Sequence, residues 1–207
     1  EHLSILEHLR NITVVPNFDN YDVYNMDCIG NPDILALREI YPKFDAANVI
    51  RNNDDWLYLV SNTGNKVGAN YLQYLVGDKI KIHLLENVYS YIHIDSTIVP
   101  LREGLVLLNG DRVNKSNCPR AFDSWTKIYA TDVVAQGFYQ YPYASKWIAL
   151  NMLVLDPHTV VCDRHQTNLI KLLEQHKFTV IPLELRHSRT LGGGFHCVTL
   201  DTWRSNE

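Results

Sequence analysis

The chain has 207 residues, of which 46% are hydrophobic, and its net charge is −4 at pH 7. This composition predicts a single domain over residues 1–207 with a substantial buried core. Acids and bases are interspersed, which excludes the basic surface typical of binding to nucleic acid or anionic lipid, and no apolar run approaches the ~20 residues of a membrane span.

Four cysteines lie far apart and form no CxxC pair: Cys28, Cys118, Cys162 and Cys197. Disulfide frameworks and zinc sites show regular spacing, so we predict reduced thiols in a cytoplasmic protein.

The first part of the chain is the least regular. Residues 2–10 carry leucines at helical spacing and predict a helix, and residues 12–15 predict a short strand. Residues 17–43 are rich in Asn, Asp, Tyr and Pro, which predicts a long irregular loop with a helical turn at Ile34–Glu39. A loop of this length is usually functional and often serves as a lid.

From Phe44 onward, the order strand-strand-helix-strand is predicted three times. The first unit comprises strands Asn48–Arg51 and Trp56–Val60, helix Gly68–Val76 and strand Lys79–Leu85. The second comprises strands Tyr91–Val99 and Leu105–Leu108, helix Ala121–Lys127 and strand Ile128–Tyr129. The third comprises strands Trp147–Leu155 and Val160–Cys162, helix Thr167–His176 and strand Thr179–Leu183, and strand Phe195–Leu200 begins a further unit.

Polar residues occupy matching places in these units, since Asp45, His93, Ser145 and Cys197 follow one another at intervals of about 50 residues. Such a period indicates a solenoid, a propeller or a closed ring of the α/β class. In a ring these strand ends would converge on the axis, so we expect the four side chains to meet in one site.

His93 and Asp95 alternate with Ile92 and Ile94, which predicts a strand in the sheet interior with both polar side chains on one face. A histidine beside a carboxylate can transfer a proton and hold a cation. A solvated surface pair is the competing interpretation.

Asp45 precedes two alanines in an apolar setting, and a buried carboxylate requires a partner. His93, one unit further along, is the predicted partner. The alternative is an aspartate that caps a turn.

Gly192–Gly194 stand directly before Phe195, His196 and Cys197. Consecutive glycines suit a turn at positive φ or close approach of the backbone to a ligand. A thiol presented by such a turn is a candidate nucleophile, and a buried, inert cysteine is the alternative. Because neighbours on a strand face opposite sides, we assign the acid–base role to His93 and leave His196 to packing or support.

Five segments together resemble the amidinotransferases of the glycine and inosamine-phosphate types: Phe44–Asn48, Ile92–Thr97, Asn109–Arg112, Ser145–Trp147 and Leu191–Cys197. The resemblance runs from about Lys43 to Arg204, and its Gly-Phe-His-Cys and His-Ile-Asp motifs are specific. It implies the pentein fold, an α/β propeller of strand-strand-helix-strand units around a pseudo-fivefold axis. It also implies L-arginine and an acceptor amine as substrates, with no metal or organic cofactor.

Carried over residue by residue, the resemblance implies three catalytic residues: the nucleophile Cys197, the acid and base His93, and its carboxylate partner Asp45. It implies three substrate-binding residues: Asp95 for the guanidinium group, and Arg112 and Ser145 for the amino-acid end. Arginine suits bidentate binding of a carboxylate, although a surface position for Arg112 is the simpler alternative.

The chain departs from the family pattern in two places. The family has two serines before Lys-Trp, and the first of them is Ala144 here, so one hydrogen bond to substrate is expected to be lost. Family members also carry an upstream hairpin with a further guanidinium-binding aspartate, and we expect this chain to lack it. We expect the chain to be either a C-terminal portion of a longer enzyme or a shortened relative. The open edge left by that hairpin would be covered by a second copy in a homodimer, or by the absent segment as a separate piece.

The activity implied by the resemblance is ping-pong transfer of the amidino group of L-arginine through a covalent amidino-cysteine. Two alternatives stay open at this point. One is a hydrolase of the same fold, resembling arginine deiminase, in which water replaces the acceptor amine. The other is a catalytically silent binding or regulatory module.

Overall fold

A computed structural model describes residues 22–28, 31, 34–88, 92–135 and 144–201 of the chain. Within these residues, unit one contains strands β1 (Val49–Asn52) and β2 (Asp55–Leu59), helix α1 (Lys66–Val76) and strand β3 (Lys81–Leu85). Unit two contains β4 (Ile98–Arg102), β5 (Leu105–Asn109), a 3-10 helix at Arg120–Phe122 and β6 (Thr126–Ala130). Unit three contains β7 (Leu153–Asp156), β8 (Thr159–Asp163), α2 (Thr167–Gln175) and β9 (Thr179–Leu183). Helix α3 (Arg186–Thr190) and 3-10 helices at Met26–Cys28, Ala46–Asn48 and Lys146–Leu150 complete the described elements.

Each unit forms its own three-stranded sheet, in which the first two strands are antiparallel and the second and third are parallel. Tight turns close the hairpins, and Asn53 takes the positive φ of 50° that the first of them requires. The return to the third, parallel strand needs a crossover, which a helix supplies in each unit. The predicted threefold strand-strand-helix-strand organisation is therefore confirmed.

The middle strand of a unit packs against apolar clusters on both of its faces. In β5, Val106 and Leu108 contribute to a cluster shared with unit one, whereas Leu105 and Leu107 contribute to a cluster shared with unit three. Successive side chains of a strand point to opposite faces, so a strand buried on both faces is apolar throughout. The hydrophobic core therefore lies between neighbouring units and holds them side by side.

The register places the candidate residues at one end of the sheets. Val49 pairs with Tyr58, and Ile98 pairs with Leu108, so the start of each first strand lies beside the end of the second strand. Residues that precede β1, β4 and β7, or that follow β5, consequently lie at the same end of their sheets. This arrangement positions the predicted site.

Two predicted strands that carry site residues are wrong. Residues 92–97 form turns and β4 starts only at Ile98, while residues 195–198 form a turn rather than a strand. Their backbone hydrogen bonds run to the preceding unit instead of to a sheet partner: Ile94 N–H donates to the carbonyl of Ala47, and Phe195 N–H donates to that of Asn151.

Other boundaries also differ from the predictions. The third unit's first strand is preceded by the 3-10 helix Lys146–Leu150, and the predicted helix Ala121–Lys127 is a 3-10 turn followed by β6. Instead of a helical turn at Ile34–Glu39, Leu37 forms an isolated bridge with Tyr24. The predicted helix 2–10 and strand 12–15 lie outside the described residues. In the described part of the chain, no helix has the length and apolar character needed to cross a membrane.

Gly68 in the first turn of α1 provides a test of how tightly unit one is packed. A Cβ at this position would lie far inside van der Waals contact with the carbonyl oxygen of Lys43, and close to the Tyr58 hydroxyl. Helix propensity alone predicts that Gly68→Ala stabilises the protein by about 1 kcal/mol. We expect the opposite, a loss of about 1–3 kcal/mol in the free energy of unfolding, because backbone must move.

Chemical denaturation of Gly68→Ala measures this loss, and Asn70→Ala, on the exposed face of the same helix, serves as the control. The control is expected to change stability by a few tenths of a kcal/mol at most. Stabilisation by Gly68→Ala would contradict the packing described here.

Candidate active site

The carboxylate of Asp95 is the centre of the candidate site. Its Oδ2 atom lies 3.6 Å from the Cys197 sulfur and 3.0 Å from Nδ1 of His196. The Asp95 side chain is only 12% exposed, and a buried carboxylate needs such partners. The turn at residues 92–97 and the turn at residues 195–198, more than 100 positions apart, therefore meet at one negative charge.

His93 and Asp45 form a second pair beside the first. Nε2 of His93 lies 3.0 Å from Oδ2 of Asp45. Only Ile94, which is buried, separates His93 from Asp95 along the chain, so the two pairs are neighbours. This predicted His–Asp contact is present, although Asp45 is not the buried carboxylate that its apolar setting suggested, since its side chain is 55% exposed.

Asn151, at the end of the 3-10 helix before β7, fixes the backbone around Cys197 through hydrogen bonds. The Cys197 N–H donates to Oδ1 of Asn151 at 3.1 Å, and the carbonyl of Asn151 accepts from Phe195 N–H at 2.8 Å and from His196 N–H at 3.4 Å. Asn151 is 1% exposed. One buried residue therefore fixes three consecutive backbone N–H groups of the turn that carries Cys197.

The glycines before this turn are required by its geometry. Gly192 has a φ of +84°, which residues with a side chain rarely adopt. A Cβ on Gly194 would lie 2.5 Å from Oδ1 and 2.7 Å from Cβ of Asn151. The positive φ of Gly192 confirms the turn that the glycine run predicted, and the absence of a side chain at Gly194 allows this turn to approach Asn151.

The pKa of the Cys197 thiol is raised above its ordinary value. The larger cause is partial withdrawal of the sulfur from water, even though the residue as a whole is exposed, and the second is the negative charge of Asp95. The Gly194 backbone and the Asn151 side chain oppose both effects. The thiol is consequently neutral at pH 7, and a cation placed at Asp95 would favour its ionisation.

Arg112 and Ser145 lie at the same end of neighbouring units. Nη1 of Arg112 donates to the Thr97 hydroxyl at 2.8 Å and to the Ser96 hydroxyl at 3.3 Å, which places its guanidinium group beside the residues that follow Asp95. Ser145 is exposed and directly precedes Lys146, whose Nζ lies 3.4 Å from the Asp111 carboxylate. This ion pair joins the segment of Arg112 to that of Ser145.

The structure also brings in two residues that the sequence did not assign to the site. His196 contacts Asp95 because its segment is a turn, so the strand argument that directed it away from Cys197 is wrong. Asn151 carried no sequence signal, since an asparagine before a strand is ordinarily a solvated cap or turn residue. All four cysteines are free thiols, and the described residues contain no cluster of three or more metal-binding side chains.

This chain has relatives among curated proteins and solved structures. No protein-family model matches the chain. Inosamine-phosphate amidinotransferase 1 of Streptomyces griseus is 53% identical over 165 residues, which make up 79% of this chain and 48% of that protein. The L-arginine:L-lysine amidinotransferase of Pseudomonas savastanoi pv. phaseolicola is 39% identical over 171 residues, or 82% of this chain and 47% of that protein.

A solved structure agrees with these sequence relatives. An inosamine-phosphate amidinotransferase from Streptomyces griseus superimposes with a TM-score of 0.80 at 51% identity, over 83% of this chain and 50% of that chain. The chain therefore spans about half the length of the curated relatives that it matches.

The electrostatic arrangement at Cys197 predicts the effect of Asp95→Asn. Removing the carboxylate charge should lower the pKa of the Cys197 thiol and raise its thiolate fraction at pH 7 roughly tenfold. The pH dependence of alkylation by uncharged iodoacetamide, followed at Cys197 by peptide mass spectrometry, measures this change. Asp201→Asn, a carboxylate that pairs with Arg51, is the matched control, and equal midpoints in the two variants would refute the role of Asp95.

Proposed function

Because the chain belongs to the amidinotransferase family and has its pentein-type α/β fold, we propose that it carries the catalytic cysteine and the residues around it. The proposed reaction transfers an amidino group from L-arginine to an acceptor amine. The observation that carries the proposal is the Cys197 sulfur 3.6 Å from the Asp95 carboxylate, beside the His93–Asp45 pair. A nucleophile, a cation-binding carboxylate and a proton-transfer pair are the groups that this chemistry needs. We propose that these groups lie in one domain, residues 1–207.

In the first half-reaction, Asp95 binds the guanidinium cation of arginine. The cation offsets the negative charge that raises the pKa of the Cys197 thiol, so substrate binding itself favours the thiolate. His93 takes the thiol proton, and the thiolate forms a bond to the guanidinium carbon. The carbon–nitrogen bond to ornithine then breaks as His93 gives that proton to the leaving nitrogen, which leaves an amidino-thioether on Cys197.

In the second half-reaction, the acceptor amine attacks the amidino carbon. His93, now the base, accepts the proton of the amine, and the carbon–sulfur bond breaks to release the guanidino product. Asp45 bonds Nε2 of His93, which leaves Nδ1 to exchange the proton and stabilises the charged imidazole. The chemistry is ping-pong and uses no metal or organic cofactor.

Arg112 and Ser145 are proposed to bind the amino-acid end of arginine. The guanidinium group of Arg112 is oriented by two hydroxyls, and such a planar group binds a carboxylate bidentately. Ser145 is exposed at the same end of the neighbouring unit. Ala144, in place of a serine, removes one possible hydrogen bond to the substrate.

A cytoplasmic location and a homodimer are part of the proposal. Four free thiols support a reducing compartment. The outer edges of β3 and β9 pair with no other described strand, and these strands expose Leu84 and Leu183, which supports association through them. Sedimentation equilibrium distinguishes a dimer from a monomer.

We predict that incubation with labelled arginine adds the mass of one amidino group to the Cys197 peptide. Cys197→Ala should remove both the adduct and the release of ornithine, because no other atom of the site forms the bond. Cys118→Ala, with a half-buried thiol, should keep both. Ornithine release by Cys197→Ala at more than a trace would exclude Cys197 from the reaction.

His93→Asn and Asp45→Ala should each lower the rate of ornithine release by about 100-fold or more, and the double variant should lose little beyond either. The reason is that the two residues serve one proton transfer. His83→Asn is the matched control, because His83 pairs with Asp55 in the same way but away from the site. Additive losses in the double-mutant cycle would show that His93 and Asp45 act independently.

A further inference from the structure

The side-chain NH2 group of Asn151 is a hydrogen-bond donor that the fold leaves unpaired. Its Oδ1 accepts from Cys197 N–H, and its Nδ2 has no hydrogen-bond partner among the described residues although it is buried. Leaving a buried N–H donor unpaired costs about 1–3 kcal/mol. Such an unpaired group in a folded protein calls for an explanation.

The orientation of this amide is fixed by its neighbour. The Cys197 N–H can be satisfied only by the amide oxygen, so Nδ2 must occupy the other position of the same planar group. The turn that carries Cys197 lies close to Asn151 because Gly194 has no side chain, so the unpaired Nδ2 is buried beneath the segment of the thiol.

Asn48, the corresponding asparagine of unit one, shows that an unpaired N–H donor is not a general property of the repeat. Nδ2 of Asn48 donates to the carbonyls of Leu59 and Ile92 and to the Ser61 hydroxyl. Its Oδ1 accepts from Asp45 N–H and from the Thr63 hydroxyl. Both asparagines lie before the first strand of their unit and both support the next site segment, but only the one beneath the thiol keeps a donor unpaired.

We propose that Asn151 donates a hydrogen bond from Nδ2 to the thiolate of Cys197 while its Oδ1 fixes the Cys197 backbone. The proposal rests on the proposed function in that Cys197 is the nucleophile. A neutral thiol is a poor acceptor, so the bond forms fully only when the sulfur becomes charged, both on activation and when the thiolate leaves the amidino group. The Gly194 backbone acts on the thiol in the same direction, since it also lowers the pKa of Cys197.

The effects of Asn151 and Gly194 on the pKa of the Cys197 thiol agree with this geometry. The Asn151 side chain and the Gly194 backbone both lower the pKa of the Cys197 thiol, against the raising effects of partial burial and of Asp95. An N–H that donates to the sulfur stabilises the thiolate, so the direction of the Asn151 effect agrees with donation from Nδ2. Asp95 contacts the sulfur and His196 contacts Asp95, and the His93–Asp45 pair lies beside them. Substitution of Asn151 changes none of these titratable groups.

The test is the pH dependence of Cys197 alkylation by iodoacetamide in Asn151→Leu, which keeps the side-chain volume but removes the donor. We expect the midpoint to move to higher pH and the thiolate fraction at pH 7 to fall about tenfold. Asn65→Leu is the matched control, because Asn65 is equally buried at 1% and caps α1 away from the thiol. The control should leave the midpoint unchanged.

Should Asn151→Leu fail to fold by circular dichroism, Asn151→Ala gives the same information, because it also lacks the amide donor and adds no charge beside the thiol. An unchanged midpoint in the folded Asn151 variant would overturn the proposal. The assay contains no arginine, so this result would leave the amidino adduct on Cys197 untouched, whereas absence of the adduct with a shifted midpoint would count against the proposed function alone.

Discussion

The site depends on hydrogen bonds by which a buried asparagine of one unit holds the turn that opens the next. Asn48 supports the turn of His93 and Asp95 through the Ile92 carbonyl, and Asn151 supports the turn of Cys197 through its N–H. Because the apolar clusters between units fix how the sheets lie against one another, these bonds transmit that placement to the reacting side chains. Packing between units, rather than any single strand, sets the distance between Cys197 and Asp95.

Within that frame, one carboxylate determines the charge of the site. Asp95 faces both a thiol and a histidine, and its charge is among the causes that raise the pKa of Cys197. A free site therefore keeps the Cys197 thiol neutral. A cation at Asp95 reverses this effect where a neutral molecule would not, so in the proposed reaction the same electrostatic contact selects a guanidinium group and activates the thiol.

Much of the fold could be predicted from the sequence, because repeated apolar strands separated by turn residues leave a periodic signal. The pairing of His93 with Asp45 followed from their matching places in successive units. The turns at residues 92–97 and 195–198 could not be predicted in this way, since their hydrogen bonds run to Ala47 and Asn151 in another unit. The sequence placed both aspartates in apolar surroundings, which holds for Asp95 at 12% exposure but not for Asp45 at 55%. The contacts of Asp95 with Cys197 and His196 are long-range and leave no local pattern.

In the proposed reaction, Cys197 carries the amidino group reversibly between two amines. Exchange of label between ornithine and arginine, with no other acceptor present, tests this most directly, because a ping-pong transferase can return the amidino group to ornithine. The chain incubated with unlabelled arginine and carbon-14 ornithine should form labelled arginine. No labelled arginine, with citrulline accumulating from the unlabelled substrate, would contradict the account and identify the chain as part of a hydrolase.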